Sequence, residues 1–86
     1  MTALTIVYFA WVRERIGVPE EDVDLPSSVE TGADLLAWLK TRGENYEAAL
    51  AMDNAIRIAV DQEHVEHGET LGSPREIALF PPMTGG

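Results

Sequence analysis

The chain has 86 residues, 45% of them hydrophobic, which is enough for one small core and too little for two. A formal net charge of −9 at pH 7 disfavours nucleic acid and anionic membranes, which are held by clustered Lys and Arg, and favours partners with basic surfaces. No cysteine is present, which excludes disulfides, cysteine nucleophiles and thiolate metal sites.

Leu4-Thr5-Ile6-Val7-Tyr8-Phe9 is β-branched and aromatic and reads as a strand with apolar groups on both faces, hence as a central strand. Ala10 to Ile16 has helix formers and ends at Gly17, the pattern of a short helix with a glycine stop. Glu20-Glu21-Asp22 reads as a solvated acidic run, because a cation loop needs glycine spacing that it lacks. Val23-Asp24-Leu25 alternates as a brief edge strand ended by Pro26.

The main helix is marked by Thr31 with Asp34 three residues later, a capping pattern. Leu35, Leu36 and Leu39 then share one side, with Gly43 as the expected stop and Trp38 at the core margin. Asn45 to Ala51 fits a further short helix with Tyr46, Ala49 and Leu50 inward. Ile56, Ile58 and Val60 alternate with polar or small residues as a one-sided strand. Val65 and Leu71 flank a turn at Gly68, and His64 and His67 are expected in an exposed loop rather than a metal site, having no second pair of ligands. Glu76 to Phe80 is the last strand, expected beside the first. One main helix plus short helices over one face of a small mixed sheet is an α+β roll.

The sequence closes on Phe80-Pro81-Pro82-Met83-Thr84-Gly85-Gly86. Proline fixes φ and lacks an N–H, so this segment cannot join a helix. Two glycines carry no side chains and accept any φ/ψ, so such an end can thread a channel closed to larger residues. An apolar strand leading through two prolines to a slim carboxylate makes that carboxylate the candidate reactive group. It is anionic at neutral pH and a poor electrophile, so it needs activation. No phosphate-cradling glycine loop and no nucleophile–base pair is evident, so catalysis would come from partners. With no apolar run near the ~20 residues of a membrane span and no basic, apolar leader, the sequence is expected to be soluble and cytoplasmic.

Three segments together are similar to a known family over essentially the whole chain. Tyr8-Phe9-Ala10-Trp11-Val12-Arg13-Glu14, Ile58-Ala59-Val60-Asp61-Gln62 and the run from Glu76 through Phe80-Pro81-Pro82 to Gly85-Gly86 resemble the small subunit of molybdopterin synthase, the MoaD type of sulfur carrier. Asp61 stands where Asn is common in that family, Met83 where Val is typical, and Gly72-Ser73-Pro74-Arg75 replaces its usual Asp/Gly-rich turn. The resemblance implies a ubiquitin-like β-grasp domain over 1–80 and an extended reactive tail over 81–86. It implies that Gly86 is adenylated by an ATP-dependent, ubiquitin-activating-like adenylyltransferase and converted to a thiocarboxylate with a sulfur donor protein. Sulfur would then pass to cyclic pyranopterin monophosphate in the large subunit, which holds the tail through Phe80, Pro81, Pro82, Met83, Thr84 and Gly85 in a heterotetramer. No bound cofactor and no metal are implied for this chain; ATP belongs to the activating enzyme. Two alternatives keep the same terminal chemistry: a ubiquitin-like protein modifier, and a sulfur carrier of another pathway such as thiazole synthesis.

Overall fold

The structure, a computed structural model, describes residues 2–82. In chain order it comprises β1 (Thr2–Tyr8), α1 (Ala10–Ile16), β2 (Glu20–Leu25), α2 (Gly32–Lys40), α3 (Glu44–Ala49), a 3-10 turn (Asp53–Ala55), β3 (Arg57–Val60), β4 (Glu63–Val65) and β5 (Glu76–Phe80). The strands form one sheet in the order β2-β1-β5-β3-β4. β5 runs parallel to β1, with Ile6 beside Ile77 and Tyr8 beside Leu79, and every other pairing is antiparallel. The expected α+β roll and the pairing of the last strand with the first are both present.

Alternation decides which face is buried. Leu4, Ile6 and Tyr8 of β1, Val23 and Leu25 of β2, Ile58 of β3, and Ile77 and Leu79 of β5 point to one side and are buried. They pack with Leu35, Leu36 and Leu39 of α2, Val12 and Ile16 of α1, and Ala49 and Leu50 beside α3. The opposite face has no such cover: Ala3 is exposed, and Thr5, Val7, Ala78 and Phe80 are half-buried. The expectation of two-sided burial for β1 is therefore corrected. Its second set of side chains is small or apolar because it lies on an open sheet face, not in a second core.

Local chemistry sets the element ends. The Thr31 hydroxyl accepts from the Asp34 N–H at 3.2 Å, and the Asp34 carboxylate accepts from the N–H of Thr31 and of Glu30, each at 3.1 Å. Those bonds hold the Asp34 carboxyl below the usual carboxylate range, the Glu30 N–H contributing most. Gly17 closes α1 at φ +101 with its N–H on the Arg13 carbonyl. α2 ends earlier than expected, at Thr41, whose N–H bonds back within the helix; Gly43 instead precedes α3. Gly32 is required by space: a Cβ there would stand 2.7 Å from Ile58 Cδ1 and 3.3 Å from the His67 backbone.

The histidines also differ from expectation. Glu63–Val65 is a strand, β4, with His64 exposed upon it, and His67 is half-buried with Nε2 2.6 Å from the Ile56 carbonyl oxygen. The turn between β3 and β4 is only two residues long, Asp61 and Gln62, both left-handed (φ +48 and +74). Two successive positive φ values give the twist that tight hairpins need, and Asp tolerates that region.

Candidate functional site

β5 is the middle strand of the sheet, so the chain leaves the domain at Phe80 from its best-supported element. The Glu76 end of β5 is clamped by Asp61, whose Oδ1 accepts from the N–H of Arg75 and of Glu76, each at 3.0 Å. The Phe80 end stands between Arg57, its partner on β3, and the close of β1, where the Phe9 N–H donates to the Leu79 carbonyl at 3.1 Å. Pro81 then offers no N–H, so ladder pairing stops there. Phe80, Pro81 and Pro82 are all half-buried. Met83, Thr84, Gly85 and Gly86 lie outside the described residues.

Phe9 joins this exit and was not singled out by the sequence. One residue past the Tyr8–Leu79 pair, it stands alongside Phe80 and is 48% exposed. Ala10 follows with φ +52, which turns the chain sharply from β1 into α1 and leaves Phe9 outside the core. For a residue with a Cβ that conformation costs about 1–2 kcal/mol. The signal in the sequence was a large aromatic at the junction between strand and helix, one step out of phase with the buried Tyr8. Phe9, Phe80, Pro81 and Pro82 together form an apolar collar where the chain leaves the sheet.

The open face continues from the collar. Pairing places Glu20, Asp22 and Asp24 of β2 beside Val7, Thr5 and Ala3, so three carboxylates line one edge. The Thr5 hydroxyl donates to Asp22 Oδ1 at 2.6 Å. The middle carries the small apolar residues Val7, Ala78 and Ala59, with Glu76 beside Thr5. The far edge carries Arg57 on β3 and His64 on β4.

Beneath β1, one acid of the expected solvated run turns inward. Glu21 shares the core side with Val23, and its Oε2 accepts from the hydroxyls of Tyr8 and Tyr46, each at 2.7 Å. Its Oε1 accepts from Arg42 at 3.0 Å, and the Arg42 guanidinium also lies over the Trp38 and Tyr46 rings. Burial, then the bond to Glu21, raises the Tyr8 phenol far above its ordinary value; the same two causes raise Tyr46. Tyr8 thus ties β1, β2 and α3 together one residue before Phe9. Trp38 packs at the core margin as expected, and Trp11 does the same with Arg15 over its ring. Among the described residues no group of three or more His, Asp or Glu could hold a metal, and no helix is long and apolar enough to cross a membrane.

A mixed five-stranded sheet curled over a main helix, with a central last strand parallel to the first, defines the ubiquitin-like β-grasp class. The chain belongs to the ThiS family, whose profile matches residues 6–86, and so to the superfamily of small β-grasp sulfur carriers and related modifiers. It is 33% identical over 88 residues to the molybdopterin synthase sulfur carrier subunit of Caenorhabditis elegans, covering all of both chains. A putative molybdopterin converting factor, subunit 1, from Pyrococcus furiosus superposes with a TM-score of 0.74 at 27% identity, over 96% of this chain and all of that one. The modifier SAMP1 of Haloferax volcanii superposes with a TM-score of 0.70 at 26% identity, over 98% and 99%.

Proposed function

We propose that this protein is a carried reagent whose Gly86 carboxylate is activated and converted to a thiocarboxylate by other proteins. The observation that carries the reading is the end of β5: the central strand, clamped at Asp61, runs into Phe80-Pro81-Pro82, and the sequence goes on to Gly85-Gly86. The full-length alignment with the nematode relative and the family match reaching residue 86 support Gly86 as the reacting residue. The domain over 1–80 serves as a holder and 81–86 as the working tail.

Activation requires an ATP-dependent adenylyltransferase. Joining the carboxylate to AMP with loss of pyrophosphate gives a mixed anhydride; hydrosulfide delivered by a donor protein attacks its acyl carbon, the C–O bond to AMP breaks, AMP leaves, and the thiocarboxylate remains on Gly86. Phe80, Pro81 and Pro82, with Phe9, offer apolar anchors to a receiving protein, and Met83, Thr84 and Gly85 supply the backbone that enters its channel.

Two destinations each have an observation in their favour. The name of the nematode relative and the Phe-Pro-Pro run favour delivery of sulfur to cyclic pyranopterin monophosphate in a large molybdopterin synthase subunit, within a heterotetramer. The likeness to SAMP1 favours use as a ubiquitin-like modifier, with Gly86 joined to lysines of target proteins. Sulfur delivery in another pathway, such as thiazole synthesis, shares the same activation.

Adding one residue after Gly86 tests the common step, because the carboxylate then no longer registers with the adenylate site. Loss of adenylation with unchanged folding is expected; full activation of the lengthened chain would refute the reading. For the native chain, a lysine isopeptide adduct found by mass spectrometry selects the modifier, and sulfur in the pterin product selects the synthase.

A further inference from the structure

The chain holds one lysine, Lys40, against five arginines, and no cysteine. Arginine supplies the rest of its positive charge on a guanidinium that stays protonated and does not attack acyl groups. Lys40 ends α2 and is half-buried, with its Nζ 2.8 Å from Asp53 Oδ2. That bond holds the Asp53 carboxyl below the usual carboxylate range, so at neutral pH an ammonium faces a carboxylate. Asp53 opens the turn that leads to β3, whose first residue, Arg57, is the cross-strand partner of Phe80. The four residue steps from Asp53 to Arg57 cover at most about 14 Å, and the ladder adds about 5 Å. Gly86 follows Phe80 by six residues, roughly 20 Å of extended chain. The one lysine therefore lies within range of the terminal carboxylate.

We propose that the Lys40–Asp53 pair guards the chain against acylation by its own activated terminus, keeping the adenylate for an outside nucleophile. This rests on the reading that Gly86 is adenylated by a partner. Self-acylation would form a C–N bond from neutral Lys40 Nζ to the Gly86 acyl carbon and break the C–O bond to AMP. AMP would leave, and one amine proton would pass to water. An amine attacks only when neutral, and a lysine is mostly ammonium at pH 7. Here Nζ must also leave Asp53. An exposed pair of this kind is weak, so it slows Lys40 about two- to fivefold rather than abolishing its reaction. With no thiol and no second lysine, this pair covers every side-chain amine and thiol in the chain. Whichever destination applies, the chain then serves as an acyl donor to others and is not lost to internal lactams or to linkage with its own copies.

Two measurements on the full chain test this. With the purified activating enzyme and ATP but no sulfur donor, peptide mapping by mass spectrometry reads amide between Gly86 and Lys40, within one chain or between two. Asp53→Asn is expected to raise the initial rate of that amide about two- to fivefold over native. Lys40→Arg keeps the charge and should give none, while pyrophosphate release stays at the native rate. Acetylation of Lys40 by an N-hydroxysuccinimide ester needs no enzyme and should rise by the same factor in Asp53→Asn. Asp53→Ser takes its place if circular dichroism shows Asp53→Asn unfolded. A folded Asp53 variant with the native rate in either assay overturns the proposal and leaves the adenylation reading intact. Failure of the native chain to support pyrophosphate release overturns both, whatever the ester shows.

Discussion

Asp61 offers a sharp test of how the exit strand is held. Its Oδ1 takes two backbone N–H groups at the start of β5, and its own backbone is left-handed. Asp61 is exposed, so each bond carries the ordinary net value of about 0.5–1.5 kcal/mol rather than the larger one for shielded charged acceptors. Two such bonds contribute about 1–3 kcal/mol, and an alanine Cβ in the left-handed region adds about 1 kcal/mol. Asp61→Ala is therefore expected to cost about 2–4 kcal/mol, a large part of a small domain's stability. Asp61→Asn keeps Oδ1 and tolerates the same φ, so it should cost less than about 1 kcal/mol. Asp61→Gly relieves the backbone but loses both bonds, and should fall between. Urea unfolding at constant m reads all three. An Asp61→Ala midpoint equal to that of Asp61→Asn would refute the clamp.

Other consequences concern packing and pH. Gly32→Ala must displace Ile58 Cδ1, itself fully buried, or the His67 backbone; a loss of about 1–3 kcal/mol in thermal unfolding is expected, and native stability would contradict the contact. The Asp34 carboxyl is depressed in the fold, so its contribution is present above its unfolded pKa and disappears as pH falls through the folded value. Thr31→Ala should weaken the domain by about 1 kcal/mol, whereas Asp34→Asn removes the titrating carboxyl and should flatten that acid dependence; an unchanged acid midpoint in Asp34→Asn would count against the cap. Tyr8 is raised in the fold, so its stabilisation holds below its ordinary pKa and fades as pH rises above it. Tyr8→Phe should cost about 1 kcal/mol at neutral pH yet resist alkali better than native, and equal alkaline losses in both proteins would argue against a buried Tyr8 phenol bonded to Glu21.

Much of this architecture was readable before the structure, and the misses share a cause. Thr31 and Asp34 marked α2, and Gly17 marked the end of α1, because capping is local chemistry carried by adjacent residues. The pairing of β5 with β1 followed from two apolar strands needing an interior place. Glu21 was misjudged by its run of acids, although Val23 and Leu25 already set the alternation that sends it inward; its partners, Tyr8, Tyr46 and Arg42, are far off in sequence. His67 was likewise hidden, since only the fold brings the Ile56 carbonyl to it. Phe9 was overlooked, because strand composition does not say whether a second face is covered. The reading of the Gly-Gly motif rests on its chemistry in the sequence, because it lies outside the described residues.

The central claim is that Gly86 is an acyl group for other proteins to load. Intact-mass analysis of the native chain after incubation with the activating enzyme, ATP and a sulfur source tests this most directly. One oxygen exchanged for sulfur, located at Gly86 by fragmentation and missing in reactions without ATP, is the expected result. A chain that keeps its original mass, while a known family carrier in the same mixture gains sulfur, would contradict it.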